Sequence, residues 1–365
     1  MLETHLEKTV TVSLRPDESG KKLNSAELRG LPKSKDLPPL MGRADGRSVD
    51  VLVEKVLIEP LSEFMQRPSK KFRGRLVHLG FQLAGESAPK KPTPQESQWC
   101  ELGAELLESV HAASLVIDDI QDMSLFRRGQ PTLHRKHGVP IALNAGNWLY
   151  FWPLEKVAQW GLSPIHELRV YRVIHQALLR AHFGQGIDVG IAIDSLPQHE
   201  IREVCRTSLE LKTGALMELA MALGAILGGA SPVREAALGQ FARAFGVALQ
   251  MFDDLGNLKS HGIDDPKQYE DLLLRRPSWV WASAAEHLDA SAYQEFCEVV
   301  RQLPKTEAWH SWVKTNPLRE TARMEAKRFL NQALDELNRS LPDGRFFNET
   351  KELSDLADRL SRAYE

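Results

Sequence analysis

Two clusters of carboxylates carry the chemistry that this chain could perform. The first is Asp118-Asp119-Ile-Gln-Asp122, closing the apolar run Ala112-Ala-Ser-Leu-Val-Ile. The second is Asp253-Asp254-Leu-Gly-Asn257, closing Phe245-Gly-Val-Ala-Leu-Gln250-Met-Phe. On a helix, positions i and i+4 share a face and i+1 lies within reach of i+4. The spacing therefore predicts that Asp118 and Asp122 point the same way with Asp119 beside them. Like charges so placed repel each other, and a divalent cation is the natural relief. All-oxygen ligands suit Mg²⁺, which keeps much of its shell as water and substrate phosphate. One such cluster is commonly a solvated helix face. Two, each preceded by an apolar run, point to metal–phosphate chemistry. His134 and His137 follow the first cluster, but the other ligands of a zinc site are missing, so they read as hydrogen-bonding or surface residues.

The elements that must position these clusters read as helices. Apolar residues recur at three- to four-residue spacing over roughly 98–122, 140–160, 164–192, 198–229 and 232–258, with shorter stretches near 73–84, 278–288, 291–302, 318–341 and 350–363. Another runs from Val49 to Met65, with Pro60 expected to kink or break it. Residues 89–98 read as a loop, and residues 1–47 as an irregular extension with one short strand-like run at 9–14. The expected architecture is all-α, with one large helical domain over residues 48–365.

Composition narrows the class further. A 365-residue chain with 42% hydrophobic residues can bury a large core, which excludes global disorder. Lys+Arg number 46 against 49 Asp+Glu, so a surface devoted to nucleic acid is not expected. Cys100, Cys205 and Cys297 are far apart and odd in number, which argues against a disulfide framework or a cysteine zinc site. No apolar run approaches the ~18 residues of a membrane span. The first ten residues include acidic ones and lack the apolar core of a signal peptide, so a cytoplasmic protein is expected.

With these residues in view, the stretch His111–Lys156 resembles the first aspartate-rich region of the trans-isoprenyl diphosphate synthases, also called polyprenyl synthetases. It is most similar to the animal and fungal geranylgeranyl diphosphate synthases. Later landmarks occur in the same order: Gly184-Gln185-Gly186-Ile187-Asp188, Lys212-Thr213-Gly214, and Gln250 ahead of Asp253, Asp254 and Asn257. The resemblance implies a single large helical bundle around a central cavity, paired as a homodimer. It implies condensation of isopentenyl diphosphate with an allylic diphosphate, with three Mg²⁺ ions per site and Mn²⁺ as a substitute. Asp118, Asp119, Asp122, Asp253, Asp254 and Asn257 would hold the metals.

By the same resemblance, Lys70, Arg73, His111 and Arg128 would bind the isopentenyl diphosphate. Arg127, Lys212 and Lys267 would bind the allylic diphosphate, with Arg276 where the family commonly has lysine. Thr213 and Gln250 would place polar oxygens near developing positive charge. The segment Pro68-Ser-Lys-Lys-Phe-Arg73-Gly departs from the family's GGKxxRP in both leading glycines and the final proline. Ala113 and Ser114 are small where shorter-product enzymes carry aromatics, and Tyr150, Phe151 and His182 would cap a deeper cavity. These features imply a C20 product. A terpene cyclase of the same fold fits less well, because the second cluster lacks that class's metal triad. A catalytically silent partner subunit would be free to lose its aspartates, and five of six cluster carboxylates remain.

Overall fold

The most apolar segment of the chain, Ala215–Leu227, is buried on every side except at Glu218. A helix that is hydrophobic all round belongs at the centre of a bundle. In the computed structural model, which describes residues 31–32, 37–42, 47–68, 72–258, 268–341 and 344–363, that is its place. The helices are α1 (Leu37–Leu40), α2 (Arg47–Val53), α3 (Glu59–Gln66), α4 (Phe72–Gln82), α5 (Pro94–Gln121), α6 (Leu133–His137), α7 (Val139–Val157) and α8 (Pro164–Gly190). They continue as α9 (Gln198–Leu209), α10 (Ala215–Leu227), α11 (Pro232–Gly256), α12 (Glu270–Leu273), α13 (Trp279–His287) and α14 (Ala290–Val300). α15 (Glu307–Thr315), α16 (Leu318–Ser340) and α17 (Phe347–Ala363) complete the set. α10 packs against α4, α5, α8 and α11. The expected all-α class is what the chain adopts. The strands among the described residues are β1 (Phe126–Arg127) and β2 (Gln130–Pro131), an antiparallel hairpin.

Local signals account for some helix starts. Thr93 caps α5 through a reciprocal capping box with Glu96, and Pro94 occupies the first turn. The helix thus begins inside the stretch read as a loop over 89–98. Pro60 sits in the first turn of α3, directly after a π-helical turn at Glu54–Ile58 that joins α2 to α3. A second π turn, Glu210–Gly214, joins α9 to α10, so the single helix expected over 198–229 is locally widened. α15 escaped the sequence reading, although Trp309 and Trp312 bury its inner face. The expected run at 9–14 lies outside the described residues. Of the expected extension, Leu31 and Leu37 are buried in a core cluster with Leu61, Phe64, Ala113 and Leu149.

Small residues let α4 and α10 approach closely. A Cβ on Gly224 would fall on the carbonyl oxygen of Val77, and one on Gly80 would fall on that of Met221. Because the obstacle is backbone, it cannot swing aside as a side chain could. Gly224→Ala should therefore cost at least ~1–3 kcal/mol, as overpacked cores do. Urea unfolding should show a lowered midpoint at unchanged slope. An unchanged midpoint would mean that the two helices do not meet at this distance.

Candidate active site

The C-terminal ends of α5 and α11 face one cavity of about 430 Å³. Asp118, Asp122, Asp253, Asp254 and Asn257 all line it. Across from them α8 contributes Gln185 and Asp188, the π turn contributes Lys212 and Thr213, and the segment after α12 contributes Arg276. Gly184 explains how α8 comes so near: a Cβ there would lie 2.5 Å from the backbone nitrogen of Lys212. The widened turn and the missing Cβ together bring the Lys212 ammonium between two helices.

The first cluster is neutralised by cations of the chain itself. Lys212 Nζ donates to Asp118 Oδ1 at 3.1 Å and to Asp188 Oδ2 at 2.7 Å. Arg127 donates from Nε to Asp119 Oδ1 at 2.7 Å and from Nη2 to Asp118 Oδ2 at 3.3 Å. Arg276 pairs with Asp122 at 2.5 Å and donates to the Asp188 carbonyl at 2.9 Å. Burial pushes the Asp118 carboxyl up, but Lys212 and Arg127 outweigh it and hold Asp118 below the usual carboxylate range. For Asp119 burial prevails over Arg127, and for Asp122 burial and the Asp118 charge prevail over Arg276, so both are raised. Asp118 also accepts from Gln185 Nε2 at 3.2 Å. The repulsion read from spacing is thus largely relieved by internal ion pairs.

The second cluster is wired differently. Gln250 accepts from the Thr213 hydroxyl at 2.9 Å and donates to Asp254 Oδ1 at 2.9 Å and Asp253 Oδ2 at 3.3 Å. Asp254 is buried, and its Oδ2 accepts the Trp279 backbone N–H at 2.7 Å. Asn257 does not leave a gap where a third aspartate would stand. Its amide donates to Asp271 Oδ2 at 3.2 Å, so Asp271 returns a carboxylate to that corner from another part of the chain. Burial and the Asp271 charge raise Asp254 well above the ordinary range. Burial, with the charges of Asp188 and Asp253, pushes Asp271 up to about 7 despite the Asn257 bond.

The remaining expected residues divide. Arg73, His111, Ser114, Tyr150 and His182 line the cavity with those above. His111 is neutral, because burial and then the nearby Arg73, Arg128 and Arg127 push its pKa well below 6.5. The Tyr150 and His182 rings lie 5.0 Å apart. Ala113 is instead fully buried in the core cluster behind α5, because one helical residue is a rotation of about 100° and only Ser114 shares the Asp118 face. For the same reason Phe151, next to Tyr150, is 68% exposed on the outer face of α7 and caps nothing in the cavity. Arg128 is not among the lining residues, and its Nη1 reaches the Arg67 carbonyl at 3.5 Å. Nor does Asp119 line the cavity: it is 1% exposed behind Arg127, and among the described residues its Oδ2 has no hydrogen-bond partner. Lys70 and Lys267 lie outside the described residues. Sequence reasoning did not single out Asp271 as a site residue, and named Asp188 only as a landmark. Asp188 had a signal, standing four residues after Gly184 on one helical face, whereas Asp271 in Gln-Tyr-Glu-Asp-Leu had none.

A polyprenyl synthetase family model matches residues 54–314. The chain belongs to the polyprenyl synthetase family. It is 31% identical over 221 residues to a geranylgeranyl pyrophosphate synthase of Penicillium crustosum, covering 59% of this chain and 61% of that protein. It is 28% identical over 224 residues to one of Eremothecium gossypii, covering 60% and 65%. The chain thus spans less than two thirds of the length of these relatives. Among solved structures, a geranylgeranyl pyrophosphate synthetase from Pyrococcus horikoshii superposes with a TM-score of 0.68 at 26% identity, covering 86% of this chain and 95% of that one. A decaprenyl diphosphate synthase from Rhodobacter capsulatus shares the fold, with a TM-score of 0.69 at 21% identity over 91% and 100% of the two chains. Among the described residues, no helix is long and apolar enough to cross a membrane.

The raised carboxyls give the metal-free protein a definite pH response. A carboxyl whose folded pKa lies above its unfolded value of ~4 favours folding only while protonated. That contribution is complete below ~4 and is lost as pH rises through the window up to about 7, where Asp271 titrates. Asp271→Asn keeps an oxygen for Asn257 and removes the charge. In chelator it should raise the Tm at pH 8 and leave it unchanged near pH 4. A fall in Tm at pH 8 would show that the ionised Asp271 is stabilised rather than strained.

Proposed function

We propose that this protein is a Mg²⁺-dependent prenyltransferase that condenses isopentenyl diphosphate with an allylic diphosphate and releases pyrophosphate. The observation that carries this reading is the single cavity into which two helix-end carboxylate clusters, Lys212, Arg127 and Arg276 converge. The donor set fits a hard cation, since its carboxylates offer only oxygen. Among the described residues no three His, Cys, Asp or Glu side chains converge on one point. An ion held by Asp118 and Asp122, or by Asp253, would therefore take most of its ligands from water and diphosphate oxygens, which would suit Mg²⁺, with Mn²⁺ as substitute and up to three ions per site. Bound Mg²⁺ would neutralise the charge that accumulates on the departing pyrophosphate.

The chain's own groups do the rest. Lys212 and Arg127 bind and orient the allylic diphosphate, releasing their carboxylate partners as they do so. Arg73 and neutral His111 hold the isopentenyl diphosphate on the opposite side. Leu115, Ile117, Val189, Leu209 and Leu216 line the cavity with apolar surface, which keeps water from the allylic cation once the carbon–oxygen bond ionises. The isopentenyl double bond attacks that cation, and a proton leaves the adduct, which the released pyrophosphate can accept. Pairing into a homodimer is supported by Val139, Leu143 and Phe151 on α7 and Leu168, Leu179 and Phe183 on α8, all exposed apolar side chains. The deciding assay is Mg²⁺-dependent pyrophosphate release. A requirement for both substrates supports this reading. Release from the allylic substrate alone marks a cyclase, and none marks a silent subunit.

Two sets of variants sharpen it. Arg73→Ala should raise KM for isopentenyl diphosphate, and Lys212→Ala that for the allylic partner, each by roughly 10- to 100-fold for a lost charge-assisted contact. Equal effects on both substrates from each variant would remove the two-site assignment.

Product length follows from volume. Growth beyond Ser114 must pass Tyr150 and His182, and an aromatic ring occupies about the space of one isoprene unit in a close-packed wall. With Ser114 small, a C20 product is expected. Ser114→Phe should shorten it towards C15 and Tyr150→Ala should lengthen it. Phe151→Ala, on the outer face, should leave the distribution of prenyl alcohols unchanged. An active Ser114→Phe enzyme with wild-type products would show that the chain grows elsewhere.

A further inference from the structure

The hairpin that presents Arg127 and Arg128 is too small to hold itself. Its strands are two residues each, and isolated hairpins even of full length are marginal in water. Its turn places Arg128 at φ 55° and Gly129 at φ 76°, and a non-glycine residue in that region is strained. Something outside the hairpin must fix it. Thr132, fully buried, ties one end by donating from its N–H to the Leu125 carbonyl at 3.1 Å and from its hydroxyl to that of Ser124 at 2.8 Å. Asp118 and Asp119 hold the Arg127 side chain, and another side chain bonds the backbone of both strands.

That side chain is Arg67, at the end of α3 and 3% exposed. Its Nη1 donates to the Arg127 carbonyl at 3.3 Å on one strand, and its Nη2 donates to the Pro131 carbonyl at 2.9 Å on the other. The Arg67 backbone carbonyl in turn accepts from Arg128 Nη1 at 3.5 Å. Glu63 balances the charge at 3.3 Å and is itself paired with Lys136, while the Phe64 ring lies 5.1 Å beneath the guanidinium. Arg67 does not line the cavity. Its chain position, six residues before Arg73, links the hairpin to the segment that carries the other diphosphate-binding arginine.

We infer that Arg67 is a positioning residue for diphosphate recognition, its planar fork clamping both hairpin strands so that Arg127 stays aimed at the site. This rests on the function proposed above. A lysine could keep the charge, but its single nitrogen would replace the two separate donors, Nη1 and Nη2, that the guanidinium fork sets against the two carbonyls. The test measures kcat/KM for both substrates and calorimetric binding of inorganic pyrophosphate with Mg²⁺, at a temperature where circular dichroism shows each variant folded.

Arg67→Ala and Arg67→Lys should each lower kcat/KM and pyrophosphate affinity by at least about tenfold. On an Arg127→Ala background, adding Arg67→Ala should cost less than about twofold, because a residue that acts through Arg127 has nothing left to position. Values within twofold of wild type for Arg67→Ala, full rescue by lysine, or an undiminished loss on the Arg127→Ala background would each overturn the inference. Should the alanine variant not fold, the lysine variant carries the same comparisons. If the wild type shows no isopentenyl-dependent turnover, the proposed function fails, and the pyrophosphate-binding arm still decides the role of Arg67.

Discussion

Charge compensation in a partly desolvated cavity is the constraint on which this structure depends. Asp118, Asp119, Asp122 and Asp188 crowd one end of the bundle, and so many carboxylates cannot share a low-dielectric space unpaired. Lys212, Arg127 and Arg276 answer them at 2.5–3.3 Å. These pairs also join elements distant in the chain. Lys212 ties α5 to α8, and Arg276 ties the segment after α12 to the end of α5 and to the α8 backbone. The site is therefore part of what closes that end of the bundle.

The backbone supplies the distances that the charges need. Gly184 admits the π turn against α8, and Gly246 on α11 sits where a Cβ would come within 2.6 Å of Met217. Below this level the packing is apolar, with α10 enclosed by four neighbours. Above it, the last turns of α5 and α11 emerge as acidic. The same two helices are thus core elements over most of their length and line the cavity at their ends, which explains why each acidic cluster closes an apolar run.

How far the sequence revealed this depends on the range of each interaction. Helix class, the approximate helices and the two clusters were legible, because they rest on spacing within one helix. So was the split between Ser114 and Ala113, since the Asp118 face fixes which of them points inward: Ser114 is one turn before Asp118, and Ala113 is about 100° further round. Phe151 was misplaced for the same reason, one residue and about 100° from Tyr150. Long-range pairings carried no such signal. Nothing local marks Asp271 as the carboxylate beside Asn257, or Arg67 as the clamp of a hairpin sixty residues away. The widened turn at Glu210–Gly214 is likewise a product of packing against α8 and α11, not of helix propensity.

The pairing pattern bears on the proposed function. In the metal-free arrangement Asp118 is held by Lys212 and Arg127, and its carboxyl lies below the usual range. On that proposal it would already be ionised when a cation arrives, and no proton would have to leave. A cation bound at Asp118 would weaken its hold on Lys212 and Arg127, the two groups proposed to meet a diphosphate. Each internal ion pair would give way to a metal–carboxylate contact and a cation–phosphate contact, so that charge added as metal would be balanced by charge added as diphosphate. Metal and diphosphate should favour each other's binding, because either alone would leave buried charge unmatched.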